Sequence, residues 1–125
     1  MRIKQLYLVV SFLAVSIIAV LYGISPTSFA RTFLNVPQLS VDFSHILRAV
    51  MTLYMALGLF WLFAAFNQRY RNFAVLTTLI FAGGLVIGRL LSLLVDGQPS
   101  TILLVYTALE LALVPIALLV LRLPD

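Results

Sequence analysis

Four long apolar stretches, separated by short polar breaks, make up most of this chain. They run from about Gln5 to Ile24, from His45 to Phe66, from Phe73 to Val95 and from Thr101 to Leu121. About 20 apolar residues in helical form match the hydrocarbon thickness of a bilayer. No water reaches the backbone there, so each stretch must satisfy its own hydrogen bonds as a helix. The expected fold class is an all-α membrane protein, an antiparallel bundle of four transmembrane helices. Composition agrees: of 125 residues, 63% are hydrophobic and 10% charged, and the mean hydropathy is +1.15. A soluble domain carries roughly a quarter charged residues, and a disordered chain needs low hydrophobicity. One domain over residues 1–125 fits this length.

The net charge of +4 and the pI of about 10.0 do not signal a nucleic-acid partner, because the basic residues form no stripe that could track phosphates. Instead they set topology. Arg2, Lys4, Arg69, Arg71 and Arg122 fall on one side of the spans, and Arg31 alone falls in a connection on the other. The positive-inside rule then places both termini and the middle loop in the cytoplasm, with the protein in a bacterial inner membrane. Trp61 and Tyr7 are expected near the inner interface and Tyr22 near the outer one. With no cysteine and one histidine, thiolate chemistry is excluded, and neither a metal nor a cofactor is expected. The expected partners are the lipid bilayer and, as alternatives still open, a second copy or another subunit of a membrane complex.

The first segment admits a competing reading. Arg2 and Lys4, an apolar run and Ser28-Phe29-Ala30 resemble a signal peptide, which would make Arg31 the mature start. The run exceeds a usual signal-peptide core, which favours a membrane span.

The connections carry their own signals. Ser25-Pro26 reads as a helix start, with the hydroxyl as cap and proline at the first position. Phe29, Ala30, Phe33 and Leu34 share one face of that helix, and Val36-Pro37 should end it. A short outer interfacial helix results, either a plain connector or a lid over the outer mouth. Asp96-Gly97-Gln98-Pro99-Ser100 reads as a turn in which Gly97 takes positive φ and Ser100 caps the fourth helix. Gly84, Gly88 and Ser92 recur every four residues, a spacing that lets a neighbouring helix approach closely. A neighbour in the same chain is preferred to a second copy. Pro115 should bend the fourth helix.

Ionisable residues converge in the outer half. Asp42, His45 and Arg48 are spaced by three and share a face. Arg89 lies about 10 Å below the outer turn and Glu110 about 14 Å from its helix end, at 1.5 Å per residue. Tyr106 sits one turn above Glu110. A charge deep in a bilayer costs at least about 2.5–3.5 kcal/mol, so Arg89 and Glu110 should pair across helices three and four. Arg48 should then take Asp42 or Asp96. Two arginines facing three acids leave −1, and protonating His45 or Glu110 would neutralise the group. A proton-linked cluster is the expectation that follows. The candidate ligand-binding set is Asp42, His45, Arg48, Arg89, Ser92, Asp96, Tyr106 and Glu110, with Gly84 and Gly88 for helix packing.

Three runs carry a family resemblance. They are His45 to Trp61, Gly83 to Ser100 with its Gly-Arg-Leu-Leu-Ser and Asp-Gly-x-Pro-Ser elements, and Tyr106-Thr-Ala-Leu-Glu110. Together they resemble a family of small bacterial inner-membrane proteins, domain of unknown function 4345. The resemblance implies a four-helix membrane bundle. It points to His45, Arg48, Gly84, Arg89, Ser92, Asp96 and Glu110, and it implies no activity. Three functions stay open: binding or transport of a small polar, anionic or lipid-like ligand; an accessory subunit locked by its polar cluster; and an enzyme using Glu110, with His45, for proton transfer.

Overall fold

A computed structural model describes residues 3–123. Arg2, one of the residues expected to set topology, lies outside the described residues. Five helices follow one another: α1 (Ile3–Gly23), α2 (Pro26–Phe33), α3 (Val41–Ala65), α4 (Gln68–Val95) and α5 (Thr101–Arg122). The four long ones are apolar enough to cross a membrane, so the fold is the expected all-α bundle with a short extra helix. Helix α1 packs most extensively on α3, and α4 on α5. One end of the bundle carries both chain ends and the α3–α4 turn and is called the terminal end below. The other carries α2 and the α4–α5 turn and is called the loop end.

Two helices start earlier than their apolar runs. Ser40 caps α3, its hydroxyl accepting from the Phe43 amide at 3.1 Å, so Asp42 lies in the first turn rather than at the cap. Asn67 caps α4, accepting from the Arg69 amide at 3.1 Å. Arg69 and Arg71 are therefore helical, and only Phe66 and Asn67 separate α3 from α4. A good capping residue starts a helix regardless of where the hydrocarbon begins, which is why hydropathy alone sets these starts too late.

Helix α2 forms as its sequence suggests, with Ser25 as N-cap and Pro26 at the first position. It ends earlier than expected: Asn35 takes a left-handed φ of 58°, and the Val36 amide bonds back to the Ala30 carbonyl at 3.0 Å. The chain thus leaves the helix before Val36-Pro37. Phe29 and Ala30 are buried, and the Phe29 ring lies 4.9 Å from that of Tyr22. At the α4–α5 turn Gly97 takes φ 95° as expected. Ser100 holds the cap position of α5, but its hydroxyl makes no capping bond. Pro115 sits inside α5 without ending it.

The core is dense at the terminal end, where Leu8, Trp61, Val75 and Thr78 are fully buried. Trp61 and Tyr7 belong to this core. The Trp61 indole donates to Thr77 at 3.0 Å, and Tyr7 shares a 2.7 Å hydrogen bond with Thr78. Such bonds satisfy the polar tips inside the bundle. Lys4 is also buried and donates to Asn72, and buried Arg71 donates to the Ala65 carbonyl at 3.2 Å. An aromatic series then climbs towards the loop end: Trp61 on Phe81, Phe81 on Tyr54, Tyr54 on Tyr22. There the packing loosens. No residue of α4 from Ile87 to Val95 is buried.

Close helix approach occurs where no glycine row announces it. A Cβ on Gly58 would stand 2.8 Å from Val15 of α1, and one on Gly23 would collide with Met51 of α3. Gly84 and Gly88, the expected packing residues, meet nothing: a Cβ on either has no neighbour within 4 Å. Their row faces open space within the chain, which corrects the expectation of an in-chain helix contact. Accordingly, Gly58→Leu should lower stability by about 1–3 kcal/mol through overpacking. Gly84→Leu should leave stability unchanged or raise it, since glycine weakens a helix interior by about 1 kcal/mol. Thermal unfolding of both variants in the same detergent checks the contrast.

Candidate functional site

The open space beside Gly84 and Gly88 is a cleft of about 420 Å³ at the loop end. It lies between the α1–α3 pair and the α4–α5 pair. Phe43, Leu47, Val50 and Tyr54 contribute from α3, Leu85, Arg89 and Ser92 from α4, and Leu103 and Thr107 from α5. Tyr22 comes from α1 and Leu34 from beyond α2. The glycines supply room here: any side chain at 84 or 88 would occupy the cleft.

Arg89 is the one charged side chain among the lining residues. Its guanidinium meets Glu110 of α5 through two bonds, Nε to Oε2 at 3.4 Å and Nη2 to Oε1 at 3.3 Å. The two side chains are 20% and 13% exposed. This confirms the expected pairing of α4 with α5. Nη2 also donates to the Tyr22 hydroxyl at 3.4 Å, which brings in α1. The bonds of Arg89 thus run through Nε and Nη2. A guanidinium has five N–H donors in a planar fork, so Nη1 keeps donors for another group. Three tyrosines surround the pair. Tyr106 stacks edgewise on Tyr22 at 5.7 Å, Tyr54 approaches from α3 at 6.1 Å, and the Tyr106 hydroxyl is buried with no hydrogen-bond partner among the described residues.

The rest of the expected cluster does not assemble. Asp42, His45 and Arg48 are exposed, and none makes a side-chain hydrogen bond or ion pair among the described residues. His45 and Arg48 line a separate concavity on α3. Asp96 is exposed at the end of α4 and accepts from the Ser92 hydroxyl at 2.6 Å, so it is not a partner for Arg48. The −1 charge count therefore has no physical counterpart: Arg89 and Glu110 form a neutral pair by themselves. The suggested cooperation of His45 with Glu110 is likewise absent, because the two belong to different sites. Tyr22 and Tyr54 are the residues that sequence reasoning missed. Tyr22 looked like an interfacial anchor from its place at a span end, yet it is 7% exposed and bonded to Arg89.

A family model described as Domain of unknown function (DUF4345) matches residues 3–121. The chain belongs to that family. No curated protein and no solved structure matches it. Membership and the four apolar helices together make it a multi-pass integral membrane protein whose partner is the lipid bilayer.

If the ion pair is the bond that joins α5 to α4 and α1, Glu110→Ala should destabilise the protein by about 3 kcal/mol, leaving Arg89 desolvated and unpaired. Replacing both residues by methionine should recover most of that loss. A double-mutant cycle of thermal unfolding in detergent measures it, and independent, additive effects would argue against the pairing.

Proposed function

We propose that this membrane protein binds an amphipathic, lipid-like molecule in the cleft between its two helix pairs, with a polar head accepting a hydrogen bond from Arg89. One observation carries the reading: an apolar-walled cleft of about 420 Å³ presents a single arginine, already held by Glu110 and Tyr22. Apolar walls with a few fixed polar groups are the usual make-up of a small-molecule site. Leu47, Val50, Leu85 and Leu103 suit an acyl or isoprenoid chain, while Tyr54, Ser92 and Thr107 add hydroxyl groups to the lining. Glu110 faces Arg89 and is not on the cleft wall, which favours a holding role over proton transfer.

The same reading places the termini on the cytoplasmic side of the inner membrane. Lys4, Arg69, Arg71 and Arg122 support this by gathering at the terminal end, with Arg31 at the loop end. The cleft then opens in the outer leaflet.

Gly88→Leu supplies the test, because Gly88 lines the cleft and a Cβ there meets no neighbour within 4 Å. Native mass spectrometry of the detergent-purified wild type should report a bound amphiphile. The Gly88→Leu protein should unfold at the same temperature or higher and lose that adduct. An accessory subunit locked by its ion pair would carry no adduct that Gly88→Leu removes, and that result would sink the proposal.

A further inference from the structure

Helix α3 has a second polar face that the cleft does not use. Phe43, Leu47, Val50 and Tyr54 turn towards the cleft. His45, Arg48 and Thr52 stand about half a turn away, at 3.6 residues per turn. Gly58 and Met51, which meet α1, define a third direction. The face of His45 and Arg48 therefore looks out of the bundle. It forms an open concavity of about 490 Å³ with Leu39, Val41, Ser44 and Ala49.

Arg48 lies seven residues into α3, about 10 Å below its start at 1.5 Å per residue. An arginine facing lipid at that depth is costly unless its head snorkels to the interface and finds an anion. No carboxylate among the described residues pairs with it, and Asp42 does not line the concavity. The Thr52 hydroxyl bonds to the carbonyls of Arg48 and Ala49, so it contributes no free donor. The donors offered at the surface are Arg48, His45 and Ser44, with apolar Leu39, Val41 and Ala49 beside them.

We propose that Arg48, assisted by His45 and Ser44, forms a surface site for the phosphate of an anionic phospholipid. Charge complementarity commits the occupant. The site has an uncompensated cation at headgroup reach, flanked by apolar side chains suited to glycerol and the first methylenes of a lipid. A fork of N–H donors matches phosphate geometry. The site is independent of the cleft, being on the opposite face of α3.

Titration of the detergent-purified protein with phosphatidylglycerol, phosphatidylcholine or inorganic phosphate, read by native mass spectrometry, tests the proposal. Phosphatidylglycerol should bind in preference to phosphatidylcholine, and Arg48→Ala should weaken it about tenfold, as loss of a charge-assisted contact implies. Arg48 is exposed, so the variant should unfold as the wild type does without lipid. Gly88→Leu, which fills only the cleft, should leave phosphatidylglycerol binding intact. Equal binding of the two lipids, unchanged binding by Arg48→Ala, or inorganic phosphate binding as tightly as the lipid would each overturn the proposal. So would loss of a dimer in Arg48→Ala with lipid binding unaffected, because the occupant would then be a second copy.

Discussion

The contact of Arg89 with Glu110 and Tyr22 is what the loop end of this bundle rests on. Elsewhere the two helix pairs are joined by many bonds. At the terminal end Lys4 reaches Asn72, Tyr7 reaches Thr78 and Trp61 reaches Thr77, so α1 and α3 are each tied to α4. Above Val86 no residue of α4 is buried, and the aromatic series leaves α4, passing from Tyr22 to Phe29 of α2 and Tyr106 of α5. The guanidinium there bonds simultaneously to α5 and α1. A short turn already makes α4 and α5 neighbours, but nothing in the connectivity places α1 against them at that height. The Arg89 and Glu110 side chains are 20% and 13% exposed, so little water competes for these donors, and a few long bonds suffice to hold the cleft walls together.

Three aromatic residues near the ends of spans, Tyr7, Tyr22 and Trp61, are buried within the bundle. Each has an apolar body and one polar tip, and each tip finds a hydroxyl or guanidinium inside the bundle. An interfacial position satisfies such a tip with water and headgroups, and an interior partner does so equally well. Threonine and arginine on α4 supply those partners at two heights: adjacent Thr77 and Thr78, and Arg89 about three turns further on. Helix α4 thereby serves as the polar spine of a mostly apolar protein, although its outer faces are among the most exposed.

Depth was legible in the sequence, whereas direction around each helix was not. Counting residues from a turn locates Arg89 and Glu110 along their helices, and the tight Asp96–Ser100 turn forces the two helices together. The pair follows from those facts alone. Spacing by three shows that Asp42, His45 and Arg48 share a face, but α3 is apolar on nearly every side, so periodicity cannot tell which face meets the bundle. The glycine row was ambiguous for a related reason. A missing side chain allows either a close helix or an empty groove, and the sequence does not distinguish them. At Gly84 and Gly88 the groove wins, while the real close approach uses isolated Gly58 and Gly23. Helix starts at Ser40 and Asn67 were visible as capping residues but were masked by a hydropathy criterion.

Arg89 and Arg48, both in the loop half, differ in one physical respect that bears on what each could hold. Arg89 is neutralised by Glu110 within the same low-dielectric site. A fully charged anion entering the cleft would leave that site at −1, and the repulsion from Glu110 would oppose it strongly at short range. The remaining Nη1 donors therefore suit a carbonyl, hydroxyl or ether oxygen, whose approach leaves the charge balance unchanged. Arg48 has no such counter-charge among the described residues, so for it the balance runs the other way, and an anion removes a cost rather than creating one. One helix, α3, thus stands between a neutralised donor on its inner side and an uncompensated cation on its outer side, and the chemistry proposed for each site follows from the presence or absence of a single carboxylate.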